Sequence, residues 1–336
     1  MQVLKPVDEY LPNLPSLKTN DRIQFTEMLL VESKLQEVLG KAEGIIKNTC
    51  LNLLNSGGKR IRPLLTVTSG MCFNRLNNNM IDAAVATELI HMASLIHDDI
   101  IDNASTRRNR PTVNSLQGNN AAVLTGDFIF AEAFNILATN QLLPCMSFLV
   151  RAIKEMCDGE VNQAAEQFNP AVTINSYFTR IAKKTGYLLS ACCKSGAIAA
   201  GANDEEIYVM GEYGLHLGYA FQIIDDILDF TGSEHVTGKP VGVDIADGNI
   251  TLPIILLMED VFYADWIKNI LQNRHVTAND LDNICKALIK TNSLTKAYKV
   301  ADQCIDKAKS FLCPVSASKY KADLLNLTDE IRIRQS

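Results

Sequence analysis

The chain has 336 residues, of which 47% are hydrophobic and 21% charged, and its mean hydropathy is +0.03. This composition excludes a disordered chain or a low-complexity fibre, because it supplies ample apolar material for a large core. The net charge of −6 argues against nucleic acid as the main partner, since duplex binding depends on neutralising phosphates, but it allows a local basic site for a small anionic substrate.

Residues 1–20 are predicted to be an N-terminal extension. They contain prolines and acids where a signal peptide would be apolar, so we expect no signal peptide. No run approaches the ~18 apolar residues of a membrane helix, and we predict no integral membrane segment. The nine cysteines are an odd number without a CxxC motif, which favours free, mostly buried thiols and a cytoplasmic location.

Apolar residues recur at three- and four-residue spacing along most of the chain, which predicts an all-α protein. Two long breaks, 103–118 and 231–249, carry Gly, Pro, Thr, Asn and charge, and breaks of this length inside a compact helical domain are usually functional. We see no alternating strand pattern, repeat or linker, and predict a single all-α domain over 1–336. The predicted helices span 22–55, 63–75, 80–103, 119–139, 145–168, 174–201, 204–230, 250–272, 278–290, 294–312 and 317–334.

Two predicted helices carry the same acidic pattern, in HMASLIHDDIID and GYAFQIIDDILDF. Each places aspartates at positions i, i+1 and i+4, and residues i and i+4 share one face of a helix. One such motif alone could be an exposed acidic stripe. Two in matching apolar contexts predict bridging cations, and oxygen-only ligands favour Mg²⁺. The first motif is Asp98, Asp99 and Asp102, and the second is Asp225, Asp226 and Asp229.

Basic residues accompany both motifs. Any single basic pair could be a solvated face, but basic clusters beside glycines and metal-binding acids indicate phosphate recognition. His91 lies seven residues before Asp98, near the same helix face, and is either a core histidine or part of the site. The basic residues are Lys59, Arg60 and Arg62 in GGKRIRP, Arg107, Arg108 and Arg110 in STRRNRPT, Lys183 and Lys184 before Thr185, and Lys239 in TGKPVGVD.

The motifs resemble those of the trans-polyprenyl diphosphate synthase family, with heptaprenyl and octaprenyl synthases closest in appearance. GGKRIRP, ELIHMASLIHDDIIDNASTRRNRPTVN, KTGYLLSACCKSGA and FQIIDDILDFTG…TGKPVGVDIADGNITLP occur in the family's order over about 57–253. The resemblance implies an all-α prenyltransferase bundle around a central cavity. It also implies a homodimer, or a heterodimer with a small helper subunit. Asn109 departs from the family's usual Gly, and Thr237 lies in a variable loop.

Carried over by position, the resemblance implies Mg²⁺ on both aspartate motifs, three ions per active site, holding an allylic diphosphate. Lys59, Arg62 and His91 match the pocket for isopentenyl diphosphate. Arg107 matches a contact to the allylic diphosphate and Arg108 a contact to isopentenyl diphosphate. The further substrate contacts are Lys184, Thr185, Gln222 and Lys239. The residues expected in catalysis are Asp98, Asp99, Asp102, Lys184, Thr185, Gln222 and Asp225.

Product length is predicted from two small residues, Ala93 and Ser94, which lie about 6–8 Å before Asp98 along the helix. In the family, bulky aromatics there resemble a floor for short products. The resemblance therefore implies a medium- to long-chain product, about C30 to C50, which would suit a quinone side chain. Ordinary helix packing is the alternative for these two residues, and Phe148 is a speculative deeper floor.

Three other functions are left open. A geranylgeranyl or farnesyl diphosphate synthase is disfavoured by Ala93. A class I terpene cyclase would leave the basic pocket of Lys59, Arg62 and Arg108 unexplained. A non-catalytic helical subunit would not need two intact aspartate motifs. A long apolar product also leads us to expect transient membrane association.

Overall fold

The computed structural model describes residues 19–107, 110–231 and 241–333, and these are overwhelmingly helical, which confirms the predicted fold class. The elements in chain order are α1 (Thr19–Gly40), α2 (Gly44–Leu54), α3 (Ile61–Met71), α4 (Asn78–Ile101), β1 (Thr106–Arg107), β2 (Arg110–Pro111), α5 (Val113–Gln117), α6 (Asn119–Thr139), α7 (Leu143–Glu166), α8 (Ile174–Ile181), a π-helical turn (Ala182–Gly186), α9 (Tyr187–Ala199), α10 (Asp204–Thr231), α11 (Val243–Ala246), α12 (Leu252–Leu257), α13 (Val261–Gln272), α14 (Ala278–Lys290), α15 (Ser293–Phe311) and α16 (Lys319–Ile333).

Three predicted helices are interrupted. The helix expected over 22–55 is two helices, because Gly44 adopts a positive φ of 55° where α2 begins. The helix expected over 250–272 breaks before α13, where the Asp260 carboxylate accepts the Phe262 N–H as a new N-cap. The helix expected over 174–201 contains the π-helical turn. The first long break also holds a β-hairpin, so the expectation of no strand was wrong there.

Helix α4 forms the centre of the main core. Almost every residue from Met80 to Ile96 is buried, and α4 packs along α3 on one side and α6 on the other. Helix α10 packs along α9 and α15. This arrangement brings the helices of the two aspartate motifs into one bundle.

A smaller hydrophobic cluster lies at the C-terminal side of the bundle. Its members come mainly from α11 to α14, and Phe230 at the end of α10 joins them. Ile255 and Leu294 pack against both this cluster and the main core. The second aspartate motif therefore lies where the two clusters meet. The single domain over 1–336 stays a prediction.

Helix α6 is long and apolar enough to cross a membrane by length and composition alone. Its buried residues recur at helical spacing, including Ala122, Ile129 and Ala133, and they pack against α4. A core helix of a soluble bundle passes the same test, so this hydropathy carries no further conclusion. The opposite face of α6 carries exposed Val123 and Leu124.

Candidate active site

A cavity of about 600 Å³ opens between the glycine turn before α3 and the C-terminal half of α4. From α4 it is lined at helical spacing by Glu88, His91, Leu95 and Asp99, so one stripe of this helix faces it. The cavity brings together most residues predicted to hold isopentenyl diphosphate. The polar lining includes Lys59, Arg60, Arg62, Glu88, His91, Asp99, Arg107 and Arg110.

The glycine turn has unusual backbone geometry. Gly57 and Gly58 have φ values of +75° and +154°, which a residue with a side chain rarely adopts. Arg60, which precedes α3, also has a positive φ of 48°. The turn places the backbone and side chains of residues 57–62 along the cavity rim.

The aspartates of the first motif have different surroundings. Asp99 is buried, and its Oδ1 accepts a hydrogen bond from Arg107 Nε at 2.7 Å. Burial raises the pKa of Asp98 to about 6, assisted by Glu160, while Arg107 opposes the rise. Asp102 is exposed at the C-terminal end of α4.

The second motif is tied into a hydrogen-bond chain. Asp226 is 4% exposed, and its carboxylate accepts from the Tyr177 hydroxyl at 2.6 Å and from Gln222 Nε2 at 3.0 Å. Gln222 Oε1 in turn accepts from the Thr185 hydroxyl at 2.8 Å. Burial raises the pKa of Asp226 to about 7, with Asp244 adding repulsion.

The last aspartate of this motif organises the following segment. Its two carboxylate oxygens accept the backbone N–H groups of Val243 and Asp244, at 3.1 and 3.2 Å. Asp229 therefore fixes the beginning of α11. Asp225 is exposed on α10.

Lys184 lines a small cavity together with Gln222 and Asp226 of the second motif's helix. It is an exposed residue of the π-helical turn, and its charge acts on both Asp98 and Asp226. The neighbouring Lys183 instead pairs with Asp158 of α7. A π-turn displaces consecutive side chains relative to an α-helix, which is why such turns recur at functional sites.

Several predicted site residues do not line the described cavity. Ala93 is fully buried and Ser94 is 8% exposed, and the Ser94 hydroxyl donates to the His91 carbonyl. Their predicted role in chain length stays a prediction. Arg108 and Lys239, together with Asn109 and Thr237, lie outside the described residues. Phe148 is half-buried, with Lys194 Nζ 4.8 Å from its ring centre.

Three features of the site were not predicted from the sequence. Tyr177, which supports Asp226, carries no motif signal because it lies 49 residues away in the chain. Asp244 belongs to the quoted TGKPVGVDIADGNITLP segment and could have been found there. The carboxylates beside Arg60 were also missed: Glu32 lies outside every motif, and Glu88 begins the quoted ELIHMASLIHDD segment but was given no role.

Comparison with known proteins places this geometry in context. The model of the polyprenyl synthetase family matches residues 43–288. The chain is 35% identical over 286 residues to heptaprenyl diphosphate synthase component 2 of Geobacillus stearothermophilus, covering 85% of this chain and 89% of that protein.

Solved structures agree with the sequence comparison. A decaprenyl diphosphate synthase from Rhodobacter capsulatus superposes with a TM-score of 0.88 at 29% identity, covering 98% of this chain and all of that one. A geranylgeranyl pyrophosphate synthetase from Pyrococcus horikoshii gives 0.84 at 33% identity, covering 93% and 97%. The two proteins are named for products of different length. Overall similarity therefore does not determine the length of the product that this protein makes.

Proposed function

The chain belongs to the polyprenyl synthetase family, and from that premise we propose that it joins isopentenyl diphosphate head-to-tail to an allylic diphosphate, extending it to a medium- or long-chain all-trans polyprenyl diphosphate of about C30 to C50. The observation that carries the proposal is the position of Lys184. Lys184 lines a small cavity with Gln222 and Asp226, and its charge also acts on Asp98, so a diphosphate bound there would be close to both aspartate motifs.

The two substrates would bind to different charged groups. Isopentenyl diphosphate would occupy the basic cavity, with Lys59, Arg62 and His91 on its diphosphate. The allylic diphosphate would lie between the aspartate motifs, where Lys184 and Arg107 supply positive charge. Arg107 lines the cavity and pairs with Asp99, so it connects the two regions.

The aspartates suit a hard divalent cation. Their donor set consists of carboxylate oxygens, and no three His, Cys, Asp or Glu side chains of the described segments already converge as a metal site. We infer that the substrate diphosphate supplies the remaining oxygens, with three Mg²⁺ ions per site. When bound, Mg²⁺ would neutralise charge on the departing diphosphate.

The chain's own residues would then direct the reaction. As the allylic C–O bond breaks, Lys184 would hold the departing diphosphate and favour the transition state over the ground state. The oxygens of Thr185 and Gln222, held by their hydrogen-bond chain to Asp226, would lie beside the developing carbocation. The isopentenyl double bond attacks that carbon, and the diphosphate accepts the proton that is lost.

An exposed apolar face supports assembly into a homodimer. Leu124 on α6 and Leu143 on α7 are 63% and 61% exposed, and Val150 is also exposed on α7. Large apolar side chains exposed on these two helices favour a protein interface there. The word "component" in the name of the Geobacillus relative leaves a heterodimer with a helper subunit as the second possibility. We keep the cytoplasm as the proposed location, with transient membrane contact for product release.

Product sizing tests the proposed function. The purified protein alone is incubated with Mg²⁺, labelled isopentenyl diphosphate and farnesyl diphosphate, and the dephosphorylated products are separated by reversed-phase chromatography. Products beyond C30 would support a self-sufficient long-chain synthase. A stop at C20 would move the function to geranylgeranyl diphosphate synthesis, and no product from folded protein would indicate a missing subunit.

The substitution Ala93→Phe tests the predicted channel. We expect a shorter product, because an aromatic ring would fill space along α4 below the aspartates. The same chromatography measures the product length. Ala301→Phe is unsuitable as a control, because Ala301 is also buried. An exposed substitution, Ile289→Phe, is the matched control. An unchanged product from Ala93→Phe would remove Ala93 from the channel.

A further inference from the structure

Three basic residues follow the glycine turn, but the middle one has a different environment from its neighbours. Lys59 is exposed on the cavity rim and Arg62 lines the cavity. The Arg60 side chain is only 13% exposed and is engaged with three helices. Its role in the site therefore differs from a direct substrate contact.

The Arg60 guanidinium makes a set of directed hydrogen bonds. Its Nε and Nη2 donate to the two carboxylate oxygens of Glu32 on α1, at 2.5 and 3.4 Å. Its Nη1 donates to Glu88 of α4 at 2.9 Å, and Nη2 also donates to the Leu54 carbonyl at the end of α2 at 2.9 Å. One side chain thus joins the turn to α1, α2 and α4, which only the planar fork of arginine can do.

The backbone explains why the turn needs this attachment. Arg60 has a φ of 48°, which costs free energy for a residue with a Cβ, and its side chain gives α3 no N-cap. Such a conformation persists only where surrounding contacts determine it. The contacts to Glu32 and Glu88 meet that need.

The charges lead to the same interpretation. Glu88 is 5% exposed at its side chain, and both Arg60 and Arg62 oppose the rise that burial causes in its pKa. Carboxylates beside a diphosphate pocket weaken anion binding by repulsion. Their presence here therefore indicates a structural task. Here they compensate the charge of Arg60, which would otherwise repel Lys59 and Arg62 across a short turn.

We propose that Arg60 is a positioning residue for isopentenyl diphosphate: with Glu32 and Glu88 it holds the glycine turn closed, so that Lys59 and Arg62 are in place before the substrate arrives. This inference rests on the proposed function. Holding the binding groups in advance removes an ordering cost from binding, so its loss weakens affinity for this substrate in particular.

The variants Glu32→Gln and Arg60→Lys test the proposal in full-length protein with Mg²⁺. We expect each to raise KM for isopentenyl diphosphate by about tenfold, while KM for farnesyl diphosphate changes by less than about twofold. The double variant should be scarcely worse than Arg60→Lys, because both changes break one linked unit.

Glu32→Gln separates positioning from direct contact by the sign of its effect. If Arg60 bound the diphosphate itself, removing a negative charge nearby would lower KM for isopentenyl diphosphate or leave it unchanged. Either result would overturn the proposal. An equal rise in both KM values would also overturn it. If Arg60→Lys fails to fold, Glu32→Gln still decides the question, since glutamine keeps the size of the side chain.

Two controls accompany these measurements. Arg332→Lys alters a comparable pair, since Arg332 Nε lies 2.8 Å from Asp302 between α16 and α15, and should leave both KM values unchanged. Thermal unfolding reports whether each variant is folded. Turnover by the wild type in the same assay keeps the two hypotheses apart, because an absence of turnover concerns the proposed function and its subunits, whereas an active wild type without the KM difference overturns only the role of Arg60.

Discussion

The six aspartates of the two motifs are chemically unequal, because protein donors already occupy some of their oxygens. Asp99 accepts from Arg107, and Asp226 accepts from both Tyr177 and Gln222. Burial raises the pKa of Asp98 and Asp226 alike, whereas Asp225 is exposed. Spacing alone assigns all six aspartates the same predicted role. Their contacts indicate that some hold other side chains in position and that others bind the metal.

Replacing either Asp98 or Asp225 by alanine should lower turnover by orders of magnitude, because each change removes a charged oxygen ligand from the predicted metal site. The helical circular dichroism signal should stay intact. Steady-state assays with saturating Mg²⁺ measure the loss, and Asp306→Ala on α15 is the exposed control. Near-normal activity in either variant would contradict the metal role of that residue.

The raised pKa of Asp98 predicts a pH dependence of stability in the metal-free protein. Burial moves this pKa from 3.8 to about 6, so the folded chain holds the proton more tightly than the unfolded chain. The contribution of Asp98 to the free energy of unfolding is thus most favourable at low pH and is lost as pH rises from about 4 through 6. Compared with Asp98→Asn, the wild type should lose on the order of 1–2 kcal/mol over that window.

Urea unfolding of both proteins in EDTA at several pH values measures this difference. Added Mg²⁺ should stabilise the wild type at pH 7 more than at pH 5, because metal binding requires the ionised carboxylate. A constant difference between the two proteins across pH would contradict the shifted titration of Asp98.

At the scale of elements, the π-helical turn decides where Lys184 and Thr185 lie. The turn crosses α10 closely, and a Cβ built on Gly218 would lie 2.6 Å from the Gly186 Cα. Glycine at position 218 permits this approach, which brings Thr185 to within a hydrogen bond of Gln222.

Gly218→Ala should therefore force α10 and the turn apart. We expect a loss of about 1–3 kcal/mol in the free energy of unfolding, together with a lower kcat as Thr185 and Lys184 shift. Urea unfolding and turnover measure the two effects. Gly40→Ala is the control, because no atom lies within 4 Å of its Cβ and its φ is not positive. Unchanged stability and activity in Gly218→Ala would show that the crossing tolerates a methyl group.

Much of the helical pattern was predictable from periodicity, because helix formation and the burial of one face depend on local spacing. Helix α6 has the predicted bounds, and α4 differs by two residues at each end. The breaks before α2 and α13 were missed because apolar spacing continues across both, although Gly44 and Asp260 are residues that commonly mark helix boundaries.

At the scale of the whole molecule, the exposed faces of α6 and α7 predict a dimer. Leu124→Glu should convert it to a monomer, because a charge would be buried in the apolar interface. Sedimentation velocity measures the change. Phe262→Glu on α13, where the side chain is 74% exposed and lies on a different helix, should leave the association state unchanged. A wild type that sediments as a monomer would contradict the proposed interface.

The sequence by itself determined the helical class and the family, and it predicted the chemistry of the site. Aspartates at helical spacing and arginines beside glycines are local patterns, and their combination predicts a metal and a diphosphate before their positions in space are known. Only the tertiary structure decided how these groups are supported. The bonds from Arg60 to Glu32 and Glu88, and from Tyr177 to Asp226, join residues 28 to 49 positions apart. Such pairs form because burying a charged or polar group requires a partner, and packing of the helices selects which partner is near.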